Sequence, residues 1–403
     1  MNSAGVHDRL RAISADRDNY ATDFVKELLL AAKTVRTSDL HLQPTQEGLR
    51  VLWRLDGVLQ TVGVFPQGTT TNIVSRLKVL AGLLTYRTDS PQEGRIQNDD
   101  REIEMRVSTF PTLHGERAVI RFFAAQDQYL FLDQLGFPGQ LPRKITEILA
   151  ETSGGLLITG PAGSGKTTTL YACLREIVQQ STHQRSVVSF EDPIEVAVDG
   201  VAQSQVNLAA GLDLATGLRS LLRQDPEVIM VGEIRDEQTA ELCMQASLTG
   251  QLVLTTFHAG SAAEALRRLM DMSIEPYLIR SGVMAVLCQR LVRCLCDCAR
   301  SSSDESDRLD LPVTQVSVPV GCDACQQTGY RGRRMLAEIM DLTSSRVGAA
   351  ILRGQDIGQI QDQAIADGMV SLQQRGLDAV TAGWTSPVEI RRVMGLRHEG
   401  PYC

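Results

Sequence analysis

Long apolar runs are missing from this 403-residue chain. Nothing approaches the ~20 residues that a membrane-crossing helix needs, and the opening MNSAGVHDRLRAISADRD has no apolar core of a secretory signal. Those absences point to the cytosol. A basic excess is missing too: 40 Lys and Arg stand against 48 Asp and Glu, a formal net charge of -8. Such a chain has no electrostatic footprint for nucleic acid or an anionic membrane, so direct DNA binding is disfavoured. There is no repeat of fixed period. The nine cysteines are odd in number and unevenly spread, which argues against a disulfide framework and for thiols or metal ligands in a reducing compartment. What is present is an ordinary globular composition, 43% hydrophobic and 22% charged, on a length that supplies cores for two or three domains.

Along the chain, residues 1–19 read as a polar leader. YATDFVKELLLAAKTVR has apolar residues at helical spacing, and short alternating segments such as LRVLWRLDGVLQTV and REIEMRVSTF surround a helix around TNIVSRLKVLAGLL. Together they predict a small α/β domain over 20–128. A linker, 129–140, contains LGFPGQLP. Over 141–293 the apolar strands GLLIT, SVVSF, EVIMVG and QLVLTT alternate with helical stretches, the pattern of a mostly parallel sheet covered by helices. A cysteine-rich insert at 294–328 and a helical region at 329–403 complete the expected order.

The strongest signal is GPAGSGKT, in which Gly160, Pro161, Ala162, Gly163, Ser164, Gly165, Lys166 and Thr167 match the P-loop pattern, with Thr168 following. It comes after an apolar strand and opens a helix, which is the context the motif requires. Glycines let the main-chain N–H groups wrap phosphates, and the helix presents its positive end. Lys166 reaches the β and γ oxygens, and Thr167 holds Mg²⁺. Hydrolysis also needs carboxylates, and two strand ends supply them: VVSFEDPIE offers Glu191, Asp192 and Glu195, and VIMVGEIRD offers Glu233. His258, after the strand in VLTTFHAG, is either a γ-phosphate sensor or a structural histidine.

In order and spacing, GPAGSGKTTTLYA, FEDPIE, LRQDPEVIMVGEIRDEQTAELCMQASLTG, VLTTFHAGSA and QRLVR resemble the type II secretion and type IV pilus assembly ATPases. The resemblance extends through SDLHLQP, WRLDG, PQEGRI and RVSTFPTLHGERAVIR. It implies a RecA-like ATPase core preceded by a PAS-like domain. It also implies a homohexamer that turns ATP hydrolysis into movement at an inner-membrane platform protein, cytoplasmic and peripheral to that membrane. Lys166 and Thr167 become the phosphate and Mg²⁺ groups, Glu191 the catalytic glutamate that polarises water, and Glu233 the carboxylate of the metal's water shell. His258 belongs to the histidine box, and Arg106, Arg121, Arg219 and Arg235 match positions near nucleotide phosphates. Two departures stand out: Gly250-Gln251 replaces the family's usual Gly-His, and His258-Ala259-Gly260 replaces His-Thr-Asn. The stretch before Tyr20 also leaves no room for the docking domain that such proteins usually carry.

RCLCDCAR contains Cys294, Cys296 and Cys298, and CDAC contains Cys322 and Cys325. The resemblance implies a tetracysteine zinc site in the assembly branch. Its register favours Cys296, Cys298, Cys322 and Cys325, with Cys294 as substitute, although the first pair is irregular. Four thiolates suit a closed, structural Zn²⁺ site; the other reading is a loop of reduced thiols. Cys173, Cys243 and Cys288 sit in apolar segments and read as core. The expected function is therefore an ATP- and Mg²⁺-dependent assembly motor. The alternatives are a retraction motor, a nucleotide-dependent module without motor activity, and a DNA-translocating ATPase.

Overall fold

A computed structural model describes residues 3–65, 70–96, 103–124, 130–180 and 185–395. The chain forms two compact units. One comprises Met1–Gln126, Arg293–Arg300 and Val318–Gly332, the other Asp127–Val292, Ser301–Ser317 and Arg333–Cys403. The boundary expected between 128 and 129 and the tail beyond 395 lie outside the described residues.

The first unit begins with helices α1 (Ser3–Arg11) and α2 (Tyr20–Thr34), followed by strands β1 (Asp39–Thr45), β2 (Gly48–Leu55) and β3 (Val58–Phe65). Then come α3 (Thr70–Leu80), β4 (Gln92–Ile96), β5 (Ile103–Thr112) and β6 (Gly115–Ala124). The strands form one sheet in the order β3-β2-β1-β6-β5-β4, antiparallel throughout. Period-two alternation gives the sheet an apolar face: Leu40, Leu42, Val51, Trp53, Met105, Val107 and Ile120 are buried with Phe24 and Leu28 of α2 and Leu77 of α3. The stretch expected to be a polar leader carries α1, whose Val6 and Leu10 are buried in this same core. Two apolar residues four apart among charged neighbours are enough to seat a helical turn, but too few to stand out as a periodic pattern.

The opposite face collects charge. Asp39 is opposite Arg54 and Arg121, Arg121 is opposite Arg106, and Arg106 is opposite Arg95, so a single row crosses five strands. Asp39 holds Arg121 at 2.9 Å and Arg54 at 3.3 Å. On the helical side Lys78, fully buried, donates to the carbonyl of Arg87 and to both carboxylate oxygens of Glu116, at 2.7, 2.8 and 2.9 Å.

The second unit contains α4 (Leu141–Leu149), β7 (Gly154–Thr159), α5 (Lys166–Gln180), β8 (Val187–Glu191) and β9 (Ala202–Gln205). It continues with α6 (Leu214–Leu221), β10 (Val228–Val231), α7 (Glu237–Leu248), β11 (Leu252–Phe257), α8 (Ala262–Asp271) and α9 (Pro276–Gly282). After β12 (Val283–Leu295) come β13 (Arg300–Ser302), α10 (Glu305–Arg308), β14 (Val316–Val318) and β15 (Tyr330–Asp341). The last helices are α11 (Ser345–Leu352), α12 (Ile357–Ala366), α13 (Leu372–Thr381) and α14 (Pro387–Met394). Seven strands form a sheet in the order β15-β12-β7-β11-β10-β8-β9, with β13 and β14 paired separately. From β12 to β9 the ladders are parallel. Strands β7, β8, β10 and β11 are buried along their whole length, as a sheet covered by helices requires. Their carboxyl ends lie side by side, the edge at which such sheets bind ligands.

Two expected boundaries differ. The region from 329, expected to be helical, opens with β15 at the edge of the large sheet, because Met335 to Met340 form a continuously buried run that a surface helix could not cover. The segment 294–328, expected as one insert, divides: its two cysteine-bearing pieces group with the first unit and Ser301–Ser317 with the second.

Replacing Lys78 with alanine leaves the buried Glu116 carboxylate without its cation. The expected loss of stability is about 3 kcal/mol, read as a lowered midpoint in equilibrium urea unfolding.

Candidate ATP-hydrolysis site and cysteine cluster

The loop between β7 and α5 is built around Gly160, whose φ is +149°. A Cβ there would stand 2.5 Å from the main-chain oxygen of Gln289, so no other residue fits. Gln289, fully buried on β12, donates through Nε2 to the carbonyl of Ser164 at 2.9 Å and accepts from the Thr169 hydroxyl at 3.1 Å. It thereby holds the loop to the first turn of α5. The buried Ser164 hydroxyl has no hydrogen-bond partner among the described residues, an orphan within the kind of loop that takes phosphate oxygens.

Lys166, 9% exposed, folds back to donate to the carbonyls of Gly160 (2.9 Å) and Pro161 (3.1 Å). Burial lowers its pKa, with the Glu233 carboxylate opposing that shift. Glu233 follows β10, and its Oε1 lies 2.7 Å from Nε2 of His258, which follows β11. Nδ1 of His258 is 3.5 Å from the Lys166 ammonium. Since an ammonium only donates, the imidazole that suits both neighbours carries its proton on Nε2 and accepts on Nδ1. Lys166, His258 and Glu233 thus form one chain of contacts across three adjacent strand ends. Arg235 extends it, reaching Glu233 at 2.7 Å and Asp192 at 2.9 Å.

Glu191 closes β8 and is 4% exposed. Its Oε1 accepts from Ser189 (2.6 Å) and from Gln203 of β9 (3.0 Å), and its Oε2 accepts from the hydroxyl of Tyr171 on α5. Ser189, Tyr171, Gln203 and Gln289 were not expected as site residues. Tyr171 and Gln289 lie inside quoted motifs, but nothing in the motifs assigns them a task. Ser189 stands in the quoted VVSFEDPIE two residues before Glu191, again with no task assigned by the motif, whereas Gln203 carries no sequence signal, because strand pairing alone brings β9 to β8.

Of the expected arginines, Arg235 is in the cluster. Arg219 is exposed on the last turn of α6, and among the described residues no hydrogen bond or ion pair ties it to Lys166, Glu191 or Glu233. Arg106 and Arg121 lie beside each other on the charged face of the first unit's sheet.

A sequence profile described as T2SSE, Type II/IV secretion system protein, matches residues 14–393. Type II secretion system protein E of Aeromonas hydrophila is 40% identical over 391 residues, 94% of this chain and 77% of the relative. The chain belongs to the type II/IV secretion ATPase family. Another member of this secretion ATPase family, the Type IV pilus assembly ATPase TfpB of Acinetobacter baylyi, is 38% identical over 94% of this chain and 66% of its own length. In fold, the chain is similar to the Legionella pneumophila ATPase DotB, with a TM-score of 0.70, 21% identity and coverage of 95% of this chain and 98% of that one.

A second site of this secretion ATPase lies within its first unit. The sulfurs of Cys296, Cys298, Cys322 and Cys325 all lie within 4.8 Å of one another. The pairs Cys296–Cys322 and Cys322–Cys325 are 3.8 Å apart and Cys298–Cys325 3.9 Å. Four thiolates about 2.3 Å from a tetrahedral ion have sulfur–sulfur edges of about 3.8 Å, so the quartet fits a metal ion. The N–H groups of Cys322 (3.1 Å) and Gly329 (3.2 Å) point at the Cys325 sulfur. Burial pushes the Cys325 thiol up, but these N–H groups, together with hydrogen bonds from the Cys322 and Cys298 thiols, outweigh it and draw the pKa down to about 6, favouring the thiolate that a metal requires. Cys294 is not in the quartet. Close by, the Gly332 N–H donates to Asp56, between β2 and β3, at 3.0 Å. As expected, Cys173, Cys243 and Cys288 are buried in the core, and burial raises all three thiols.

Purified protein is expected to carry about one metal ion per chain, measured by elemental analysis. Cys322→Ser is expected to lose most of it and Cys294→Ser to keep it.

Proposed function

We propose that this chain is the Mg²⁺-dependent ATPase motor of a type II secretion or type IV pilus assembly machine, acting as a homohexamer. It would work against an inner-membrane platform protein, in the cytoplasm and peripheral to that membrane, without binding nucleic acid directly. The observation that carries this reading is the convergence of Lys166, Glu191, Glu233 and His258 on four neighbouring strand ends of one parallel sheet. The proposed organisation keeps a PAS-like module over 20–128 and a RecA-like core over 141–293.

In this reading the main-chain N–H groups of the loop over 160–168, Pro161 excepted, and the positive end of α5 take the nucleotide's phosphates. Lys166 would exchange its loop carbonyls for β and γ oxygens, and the Thr167 hydroxyl would hold Mg²⁺. Bound there, Mg²⁺ supplies charge neutralisation at those oxygens. Glu233 would order the metal's water shell, and His258, between Glu233 and Lys166, would register the γ-phosphate. Glu191 orients the attacking water. Its three hydrogen-bond donors occupy three of the roughly four acceptor positions of a carboxylate, which leaves one for water. Arg235 already spans both acidic segments and can swing from carboxylate to phosphate as charge develops; Arg106, Arg121 and Arg219 are the further phosphate ligands of the proposal. The cysteine quartet would hold Zn²⁺ as a structural knuckle, the feature that favours an assembly motor over a retraction motor.

ATP hydrolysis measured across protein concentration tests the proposal. Specific activity is expected to rise as oligomers form, to vanish in Lys166→Ala and to fall about 10²–10⁴-fold in Glu191→Gln. Duplex DNA is expected to leave it unchanged. Full activity in either variant would remove the basis of the reading.

A further inference from the structure

Tyr171 lies one helical turn beyond Thr167 on α5 and is 3% exposed. A buried tyrosine needs one partner for its hydroxyl; this one has three. The hydroxyl donates to Oε2 of Glu191 and accepts from the main-chain N–H groups of Glu195 (3.0 Å) and Val196 (3.3 Å). Burial and then the bond to Glu191 push the phenol's pKa well above its ordinary value, so the proton stays on the hydroxyl and donation runs toward the carboxylate.

Gln203 mirrors this arrangement on the other side of Glu191. Its Nε2 donates to Oε1 of Glu191 and to the carbonyl of Val196, both at 3.0 Å, while its Oε1 accepts from the Val198 N–H at 2.6 Å. The carboxylate and the loop that follows it are thus gripped from two elements. Of the two, only Tyr171 stands on the helix that begins at the P-loop lysine. Phenylalanine would fill the same core volume, so packing alone does not call for the hydroxyl.

We propose that Tyr171 is a positioning residue for ATP hydrolysis. Its hydroxyl fixes the orientation of the Glu191 carboxylate relative to the P-loop helix, so that the phosphate cradle and the water-orienting group are held by one buried hydrogen bond. This rests on the reading of Glu191 as the group that orients water.

A double-mutant cycle tests it: wild type, Y171F, E191Q and Y171F/E191Q. For each, kcat and KM for Mg-ATP are measured below the melting temperature. Y171F is expected to lower kcat about ten- to a hundredfold, the scale of a misplaced catalytic group, while KM changes less than about threefold. In the E191Q background the same substitution is expected to change kcat less than about twofold, because there is no catalytic carboxylate left to misplace. Wild-type kcat in Y171F, or an equal fold-loss in both backgrounds, overturns the proposal and leaves the role of Glu191 standing. Wild-type kcat in E191Q overturns both. Should Y171F not fold, a fluorinated tyrosine at position 171 keeps ring and hydroxyl while acidifying the phenol. A shifted kcat and pH profile then supports the positioning role, and unchanged kinetics oppose it.

Discussion

An ammonium group held almost out of water is the constraint around which the nucleotide site is arranged. Lys166 is 9% exposed, and an uncompensated cation at such a place would cost several kcal/mol or give up its proton. Two loop carbonyls take its hydrogens, and the carboxylate of Glu233 supplies opposite charge, with His258 between them. For those groups to meet, β7, β11 and β10 must be neighbours and end at the same level, which is the register the parallel ladders provide. The same carbonyls are weaker partners for an ammonium than phosphate oxygens.

The two carboxylates solve different problems. Glu233 is partly accessible and paired with His258 and Arg235, which are about half exposed. Glu191 is buried and fixed by Tyr171, Ser189 and Gln203. Under the proposed roles, a group that follows a metal's hydration shell benefits from exposed neighbours, whereas a group that aims a water benefits from a locked orientation. The cysteine quartet is a third kind of solution, with sulfur spacing set by short turns around Cys322–Cys325 and by main-chain N–H groups aimed at sulfur.

How legible each part was depends on whether its cause is local. The P-loop could be read because its glycines, lysine and threonine act within eight consecutive residues, flanked by a strand and a helix. Glu191, Glu233 and His258 stood out because each stands at the carboxyl end of an apolar strand. The quartet's membership was readable by register, and the irregular CLCDC spacing did not prevent the four sulfurs from meeting. The role of α1 was hidden because Val6 and Leu10 make sense only against the sheet they cover. β15 was hidden because its buried run needs a neighbouring strand to be explained.

The sequence by itself determined the chemistry and the family. A phosphate loop, strand-end acids and a cysteine pattern are each written in contiguous residues whose physical roles follow from their types. The tertiary structure alone decided which side chains hold those groups in place. Tyr171, Gln203 and Gln289 act through hydrogen bonds to residues 20, 12 and 125 positions away. It also decided that Arg219 stands outside the cluster and that the cysteine segments group with the N-terminal sheet. Hydrogen bonds and burial depend on distance in space, and linear spacing reveals that distance only within an element or a turn.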